Sequence, residues 1–149
     1  MKYVVSLGSN LGERSQILES ALEEIGNVSE IIKVSSFYET APVGGPDQPD
    51  YMNAIVIIDS QLSPEDLLLS LQSIENKAGR TREVRWGART LDLDLISAGD
   101  LKVESEFLTL PHPRAHERGF VLQPWLEIDA DAEIVGKGRI SELLAAIVG

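Results

Sequence analysis

The run Arg85-Trp86-Gly87-Ala88-Arg89-Thr90-Leu91-Asp92-Leu93-Asp94-Leu95 brings cations, an aromatic ring and two carboxylates together at the entrance to a strand. Leucine at 91, 93 and 95 alternating with aspartate at 92 and 94 has the period of a half-buried strand, with the leucines inward and both aspartates on one face. Strand geometry separates the two aspartate Cα atoms by roughly 6.5 to 7 Å. Carboxylates that close repel each other unless something positive lies between them, and Mg²⁺ takes oxygen ligands of this kind while sharing them with substrate phosphates. Arginine forks hydrogen-bond phosphate oxygens in pairs. A D-x-D alone is also what the solvated face of an amphipathic strand looks like. The surrounding cations separate the two readings: six of the eight arginines fall between Arg80 and Arg118 in a chain of net charge -11. Cations gathered against the global sign make a local anion-binding field. Together these residues ask for a metal-bridged polyphosphate.

The elements that must position them are those of a mixed chain. A length of 149 residues predicts one domain, 1–149, with a sizeable core. There is no cysteine, hence neither a disulfide framework nor a thiolate metal site. No initial apolar run has the length of a signal peptide or membrane span, which gives the expectation of a soluble, cytoplasmic protein. The acidic balance argues against a nucleic-acid or anionic-membrane partner, since both depend on excess positive potential. Tyr3 to Leu7 reads as a strand leading into a turn and helix cap at Gly8-Ser9-Asn10, followed by Ile17, Leu18, Ala21, Leu22 and Ile25 at helical spacing with Gly26 as the stop. Ile31 to Tyr38 reads as extended. Thr40 to Asp50 is a loop marked by Pro42, Gly44-Gly45-Pro46 and Pro49. Tyr51 to Asp59 is apolar at both parities, as a strand covered on both faces is. Ser63 caps a second helix with Pro64 at its first position and Leu67, Leu68, Leu71 and Ile74 inward. The arginine loop Gly79 to Thr90, the aspartate strand and the segment Leu110-Pro111-His112-Pro113 follow, and Ser141 to Val148 reads as a last helix. Strands separated by only two good helices favour an α+β sheet.

Gly8-Ser9-Asn10-Leu11-Gly12 lacks both G-x-x-x-x-G-K-[ST] and G-x-G-x-x-G, so a phosphate cradle there has no backbone to form it. His112 and His116 have the i, i+4 spacing of a helical metal pair, yet Pro113 biases the residue before it away from helix. A surface role and a hydrogen bond to phosphate or alcohol both remain open for His112. Tyr51, Trp86 and Phe120 border polar segments, where aromatic faces can sandwich a flat heterocycle with the Asn53 amide on its edge; core packing is the alternative for each. Gln72 and Glu75, late in the second helix, have no apolar role and fall near the arginine loop.

Taken together, Gly8 to Gly12, Phe37-Tyr38-Glu39-Thr40 with Pro42-Val43-Gly44, Asp47 to Ala54, Gly79 to Asp94 and Pro111 to Phe120 resemble the 6-hydroxymethyl-7,8-dihydropterin pyrophosphokinase family of folate biosynthesis. The resemblance spans nearly the whole chain. It implies a ferredoxin-like α+β fold, a mainly antiparallel sheet with helices on both faces. It further implies transfer of pyrophosphate from ATP to the pterin hydroxymethyl group, with release of AMP. By that resemblance Asp92 and Asp94 hold two Mg²⁺ ions, and Arg82 and Arg89 join them in catalysis. The pterin lies between Tyr51 and Phe120, with Asn53, Thr40, Pro42 and Val43 around its edge. ATP meets Gln72, Glu75, Arg82, Trp86, Arg89, His112 and Arg118, with adenine near Ile96, Leu108 and Thr109. The expected partners are ATP and the pterin, and the expected state is a monomer. Ala88 departs from the proline that commonly precedes the family's Arg-Thr, and Glu83-Val84 stands where some members carry a lysine.

Phosphoryl-type transfer leaves a protein little covalent work, so positioning and charge neutralisation carry it. Gly79 to Thr90, charge-rich and bounded by glycine, is expected to close over ATP as a lid. Two other classes use parts of the same pattern: a metal-dependent phosphohydrolase built on the aspartates, and a non-catalytic ferredoxin-like binding domain that needs no aspartate pair. Neither calls for a planar-heterocycle slot beside a polyphosphate site.

Overall fold

The computed structural model of the protein describes residues 1–10, 13–40, 50–79 and 91–148. In chain order these form β1 (Lys2–Ser9), α1 (Arg14–Gly26), β2 (Glu30–Val34), β3 (Tyr38–Thr40), β4 (Tyr51–Asp59), α2 (Pro64–Gly79) and β5 (Asp92–Ser97). Two short strands follow, β6 (Val103–Glu104) and β7 (Thr109–Leu110), then a 3₁₀ turn at Ala115–Glu117 and α3 (Gly119–Ile128). The chain closes with β8 (Glu133–Ile134), β9 (Gly138–Arg139) and α4 (Ile140–Val148).

The main sheet has the order β2-β4-β1-β5, with β3 beside β4 on the same edge as β2. Every pairing in it is antiparallel. With α1 and α2 on one face and α3 and α4 on the other, this is the ferredoxin-like α+β arrangement. The alternation of each central strand decides which core its side chains enter. Tyr3, Val5 and Leu7 of β1, Ala54, Val56 and Ile58 of β4, and Leu93 and Leu95 of β5 pack with Leu18, Ile25, Leu67 and Leu71 of the first two helices. Val4, Ile55, Ile57 and Ile96 point the other way, onto Val121, Leu122 and Trp125 of α3 and Ile140 of α4. β4 is therefore covered on both faces, as its unbroken apolar run requires.

Two local expectations are corrected, and α3 and two short hairpins are additions to them. β1 continues through Gly8 to Ser9, and the helix starts only at Arg14 after Glu13, which makes no side-chain cap hydrogen bond, so Gly8 is a strand residue and not a turn. The extended run 31–38 is broken: Ser35 donates its N–H to the Ile55 carbonyl at 2.9 Å, and its hydroxyl accepts the Ile55 N–H at 2.9 Å. That exchange leaves the sheet edge as two short strands. α3 was not foreseen, because Pro124 lies inside it and proline argues against a helix interior; burial of Val121, Leu122 and Trp125 outweighs that local cost. The small β6–β7 and β8–β9 hairpins were also missed, each too short to show a period. Ser63 does cap α2, accepting the Asp66 N–H at 3.2 Å.

Candidate active site

The C-terminal end of β1, the N-terminal ends of β4 and β5, Thr40 of β3 and the last turn of α2 all meet at one end of the sheet. The described residues flanking 11–12, 41–49 and 80–90 stand at this same end. Register makes the juxtaposition specific. Asp92 of β5 pairs with Gly8 of β1, Gly8 with Asn53 of β4, and Asn53 with Tyr38 of β3. Residues directly opposite in a sheet share a face, so these four form a single cross-strand row. One step further in, Asp94 pairs with Ser6, and Ser6 with Ile55. Both aspartates thus lie on the α3 face, half-buried, while Leu93 and Leu95 are buried on the other. The alternation read from the sequence holds.

Strands stand about 4.8 Å apart, so Asp92 and Asn53 are separated by roughly 10 Å across Gly8. A Cβ on Gly8 would lie 3.0 Å from Asn53 Oδ1 and 3.6 Å from Tyr51 Cδ1. Glycine therefore keeps the floor between the carboxylates and the amide clear. Sequence reading assigned Gly8 to a turn; the available signal was a glycine ending an otherwise apolar strand, which often marks close approach of another group.

Asn53 is buried, and its amide Nδ2 donates to Thr40 Oγ1. That bond joins β4 to the end of β3 and fixes which way the amide faces. Tyr51, half-buried, lies two residues from Asn53 on the same face. Phe120 sits in the first turn of α3, the helix that covers this face, with the Arg118 guanidinium carbon 5.5 Å from its ring centroid. The pair expected to hold a flat ring thus comes from the sheet and from the helix that covers it.

A second cluster continues from the aspartates. Gln72, Asp94, Leu108, Thr109 and His112 line a cleft of about 300 Å³, so four of the residues expected to meet ATP share one wall with a carboxylate. Ile96 lies outside that lining: its side chain is fully buried under α3, and its carbonyl accepts the His112 N–H at 2.8 Å. Glu75 Oε2 accepts the Leu93 N–H at 2.7 Å, which ties α2 to the strand at the residue between the two aspartates. The His112 ring accepts the Arg114 N–H at Nδ1, 3.2 Å away, which leaves Nε2 as the protonated nitrogen of the neutral ring. Burial, seconded by Arg118, holds its pKa below the ordinary histidine value, with Asp92 opposing. At neutral pH the ring is an uncharged donor. Arg118 reaches Asp94 at 4.0 Å. Arg82, Trp86, Arg89, Pro42 and Val43 lie outside the described residues.

Among the described residues no three His, Asp or Glu side chains cluster as a metal cage. Two same-face carboxylates with an all-oxygen donor set suit Mg²⁺, which completes its shell with waters and phosphates. A thiolate or imidazole cage for zinc is absent from this donor set.

Comparison with known proteins identifies the family. Residues 4–130 match the family described as 7,8-dihydro-6-hydroxymethylpterin-pyrophosphokinase. The 2-amino-4-hydroxy-6-hydroxymethyldihydropteridine pyrophosphokinase of Haemophilus influenzae is 44% identical over 142 residues, covering 94% of this chain and 89% of that protein. The Bacillus subtilis enzyme of the same name is 47% identical over 131 residues, covering 87% and 78%. A solved structure of HPPK-DHPS in complex with substrates superposes with a TM-score of 0.77 at 13% identity, covering 99% of this chain; the chain spans 44% of the length of that larger protein. That likeness concerns the fold alone. With a matching family over most of its length and an aspartate row laid out beside a buried amide, the chain belongs to the 7,8-dihydro-6-hydroxymethylpterin-pyrophosphokinase family.

Proposed function

We propose that the chain transfers the β,γ-pyrophosphoryl group of ATP to 6-hydroxymethyl-7,8-dihydropterin. The observation that carries this reading is the place of Asp94, which lines the cleft with Gln72, Thr109 and His112 and stands one step from the Asp92–Gly8–Asn53 row. A nucleotide seated in the cleft would present its phosphates to an acceptor lying over Gly8. Asn53 and Thr40 would read the polar edge of that acceptor, and Tyr51 and Phe120 would cover its faces, with Pro42 and Val43 completing the edge by resemblance to the family. Leu108 and Thr109 would meet the nucleoside.

The acceptor oxygen forms a bond to the β-phosphorus as the bond between that phosphorus and the α,β-bridging oxygen breaks, AMP departs, and the hydroxyl proton is released. Asp92 and Asp94 would hold Mg²⁺, two ions by resemblance. When bound, the metal neutralises triphosphate charge and acidifies the hydroxyl. His112 donates from Nε2 to a phosphate oxygen without bringing a charge of its own. Arg118, held between Asp94 and the Phe120 ring, and Arg82 and Arg89, with Trp86, would stabilise the charge that develops in transfer. Glu75 acts through the Leu93 amide, keeping the aspartate strand in place.

We further propose that residues 1–149 act as one domain and as a monomer in the cytoplasm. Among the described residues, the groups given a role come from the main sheet, from α2 and α3, and from the segment 108–118 that leads into α3, and no helix is long and apolar enough to cross a membrane. The test is product analysis. Purified protein with Mg-ATP and the reduced pterin should yield AMP and the pterin diphosphate in equal amounts. ADP, or AMP with free pyrophosphate and unmodified pterin, would refute the assignment.

A further inference from the structure

Glu127 stands in the last turn of α3, where the negative end of the helix disfavours a carboxylate. Its surroundings explain why it is there. Its carboxylate accepts from the Ser36 N–H at 3.1 Å, the Ser36 hydroxyl at 2.8 Å and the Tyr38 hydroxyl at 2.6 Å. These donors sit on the segment that enters β3, and Tyr38 pairs with Asn53 across the sheet. Two residues on, Thr40 accepts from the Asn53 amide. At the other end of α3, Phe120 lies seven residues before Glu127, which is two helical turns, so both side chains lie on one face of the helix. The axial distance between them is about 10.5 Å.

We propose that Glu127 is a positioning residue for the acceptor slot: by clasping Ser36 and Tyr38 it fixes the rotation of α3 relative to β3, and so the placement of Phe120 relative to Tyr51 and Asn53. This rests on the reading of those three residues as the pterin site. Among the described residues this helix-borne carboxylate joins α3 to the start of β3, beside Asn53, while Lys33 Nζ of β2 reaches the Ile128 carbonyl at 3.4 Å. The Tyr38 hydroxyl above all, then Ser36, holds the Glu127 carboxyl below the usual carboxylate range, as expected of an acceptor with three donors. Rigid support of this kind is what separates a formed site from a loose one, since a slot misplaced by about 1 Å can cost on the order of 10²-fold in rate.

Steady-state kinetics of Glu127→Ala, Glu127→Gln and Tyr38→Phe test the proposal. Glu127→Ala should raise the KM for the pterin about 5- to 20-fold, with a smaller change in the KM for ATP. Glu127→Gln keeps an oxygen acceptor and should recover most of that loss. Tyr38→Phe keeps both Ser36 bonds and should raise the pterin KM about 2- to 5-fold, and it decides the matter if the alanine variant does not fold. A Glu127→Ala or Tyr38→Phe protein that melts earlier but keeps the wild-type pterin KM would make the clasp a brace of the fold and overturn the proposal. Asn53→Ala separates this from the underlying reading. If it weakens pterin binding while the Glu127 and Tyr38 variants do not, only the clasp is refuted; if none of them does, the slot reading falls with it.

Discussion

The two faces of the central sheet are made by the same strands and differ in kind. Toward α1 and α2, β1, β4 and β5 present Tyr3, Val5, Leu7, Ala54, Val56, Ile58, Leu93 and Leu95, an apolar layer that reaches Leu7, Ala54 and Leu93 at the site end. Toward α3 the same strands are apolar only at the far end, through Val4, Ile55, Ile57 and Ile96. Their near end carries Gly8, Asn53, Asp92 and Asp94. Stability and chemistry are thus divided by parity and by position along the strand. A continuous core on one face lets the other open at one end, where a row of polar groups can be held on strands that cannot shift register without moving leucines out of the core.

The sharpest way to break this comparison is to change neighbours on β5. Leu93→Ala should cost about 2 to 5 kcal/mol of stability. Asp92→Ala, half-buried on the other face, should cost less stability than Leu93→Ala and lower turnover by about 10³-fold or more. Thermal melting and kcat measured on both variants check the pair; an Asp92→Ala protein that unfolds as readily as Leu93→Ala would erase the distinction between the faces. Next in size is the amide. Asn53→Ala should raise the pterin dissociation constant about 5- to 150-fold, with ATP affinity measured alone almost unchanged; equal losses for both ligands by calorimetry would make Asn53 a fold determinant only. Gly8→Ala should act on the same step more weakly, pushing against Asn53 Oδ1 and Tyr51 at an overpacking cost of about 1 to 3 kcal/mol. A Gly8→Ala enzyme with unchanged pterin affinity would show that the floor need not be clear.

The smallest effect is in proton binding. Because the folded pKa of His112 lies below its ordinary value, the folded protein binds fewer protons than the unfolded chain just below about pH 6.5. This contribution to stability is complete above that pH and is lost as pH falls through the lowered pKa. Side-chain NMR should find His112 titrating below the ordinary histidine value, and should find Nε2 protonated in the neutral form. A His112 that titrates above that value would remove the donor role.

Much of this division was legible in the sequence, for reasons that differ by element. The Leu-Asp alternation of 91–95 gave the two faces of β5 correctly, because period 2 is a strong signal when every other residue is leucine. The double-sided apolar run of 51–59 marked β4 as central, and Ser63-Pro64 marked the start of α2. Hidden from it was what depends on tertiary contact. Pro124 masked α3, whose existence rests on the burial of Val121, Leu122 and Trp125. Gly8 looked like a turn, since its neighbour Asn53 lies 45 positions away and only the β1–β4 register brings them together. The bond by which Glu75 ties α2 to the Leu93 amide likewise joins residues 18 positions apart and left no sequence signal. The Glu127 clasp had no sequence signal, because a glutamate late in a helix resembles any solvated charge. The arginine loop, the most suggestive stretch of the sequence, lies outside the described residues in 80–90, so the roles of Arg82, Trp86 and Arg89 rest on resemblance.

The central claim is that the aspartate pair holds the metal where the nucleotide cleft meets the acceptor row. Electron paramagnetic resonance of Mn²⁺ bound with a non-hydrolysable ATP analogue and the pterin tests it most directly, in wild type and in Asp94→Asn. About two ions per chain are expected in the wild-type complex, and Asp94→Asn, folded as judged by its melting curve, should lose tight binding of at least one. An Asp94→Asn protein that binds the full complement of Mn²⁺ with wild-type affinity would contradict it.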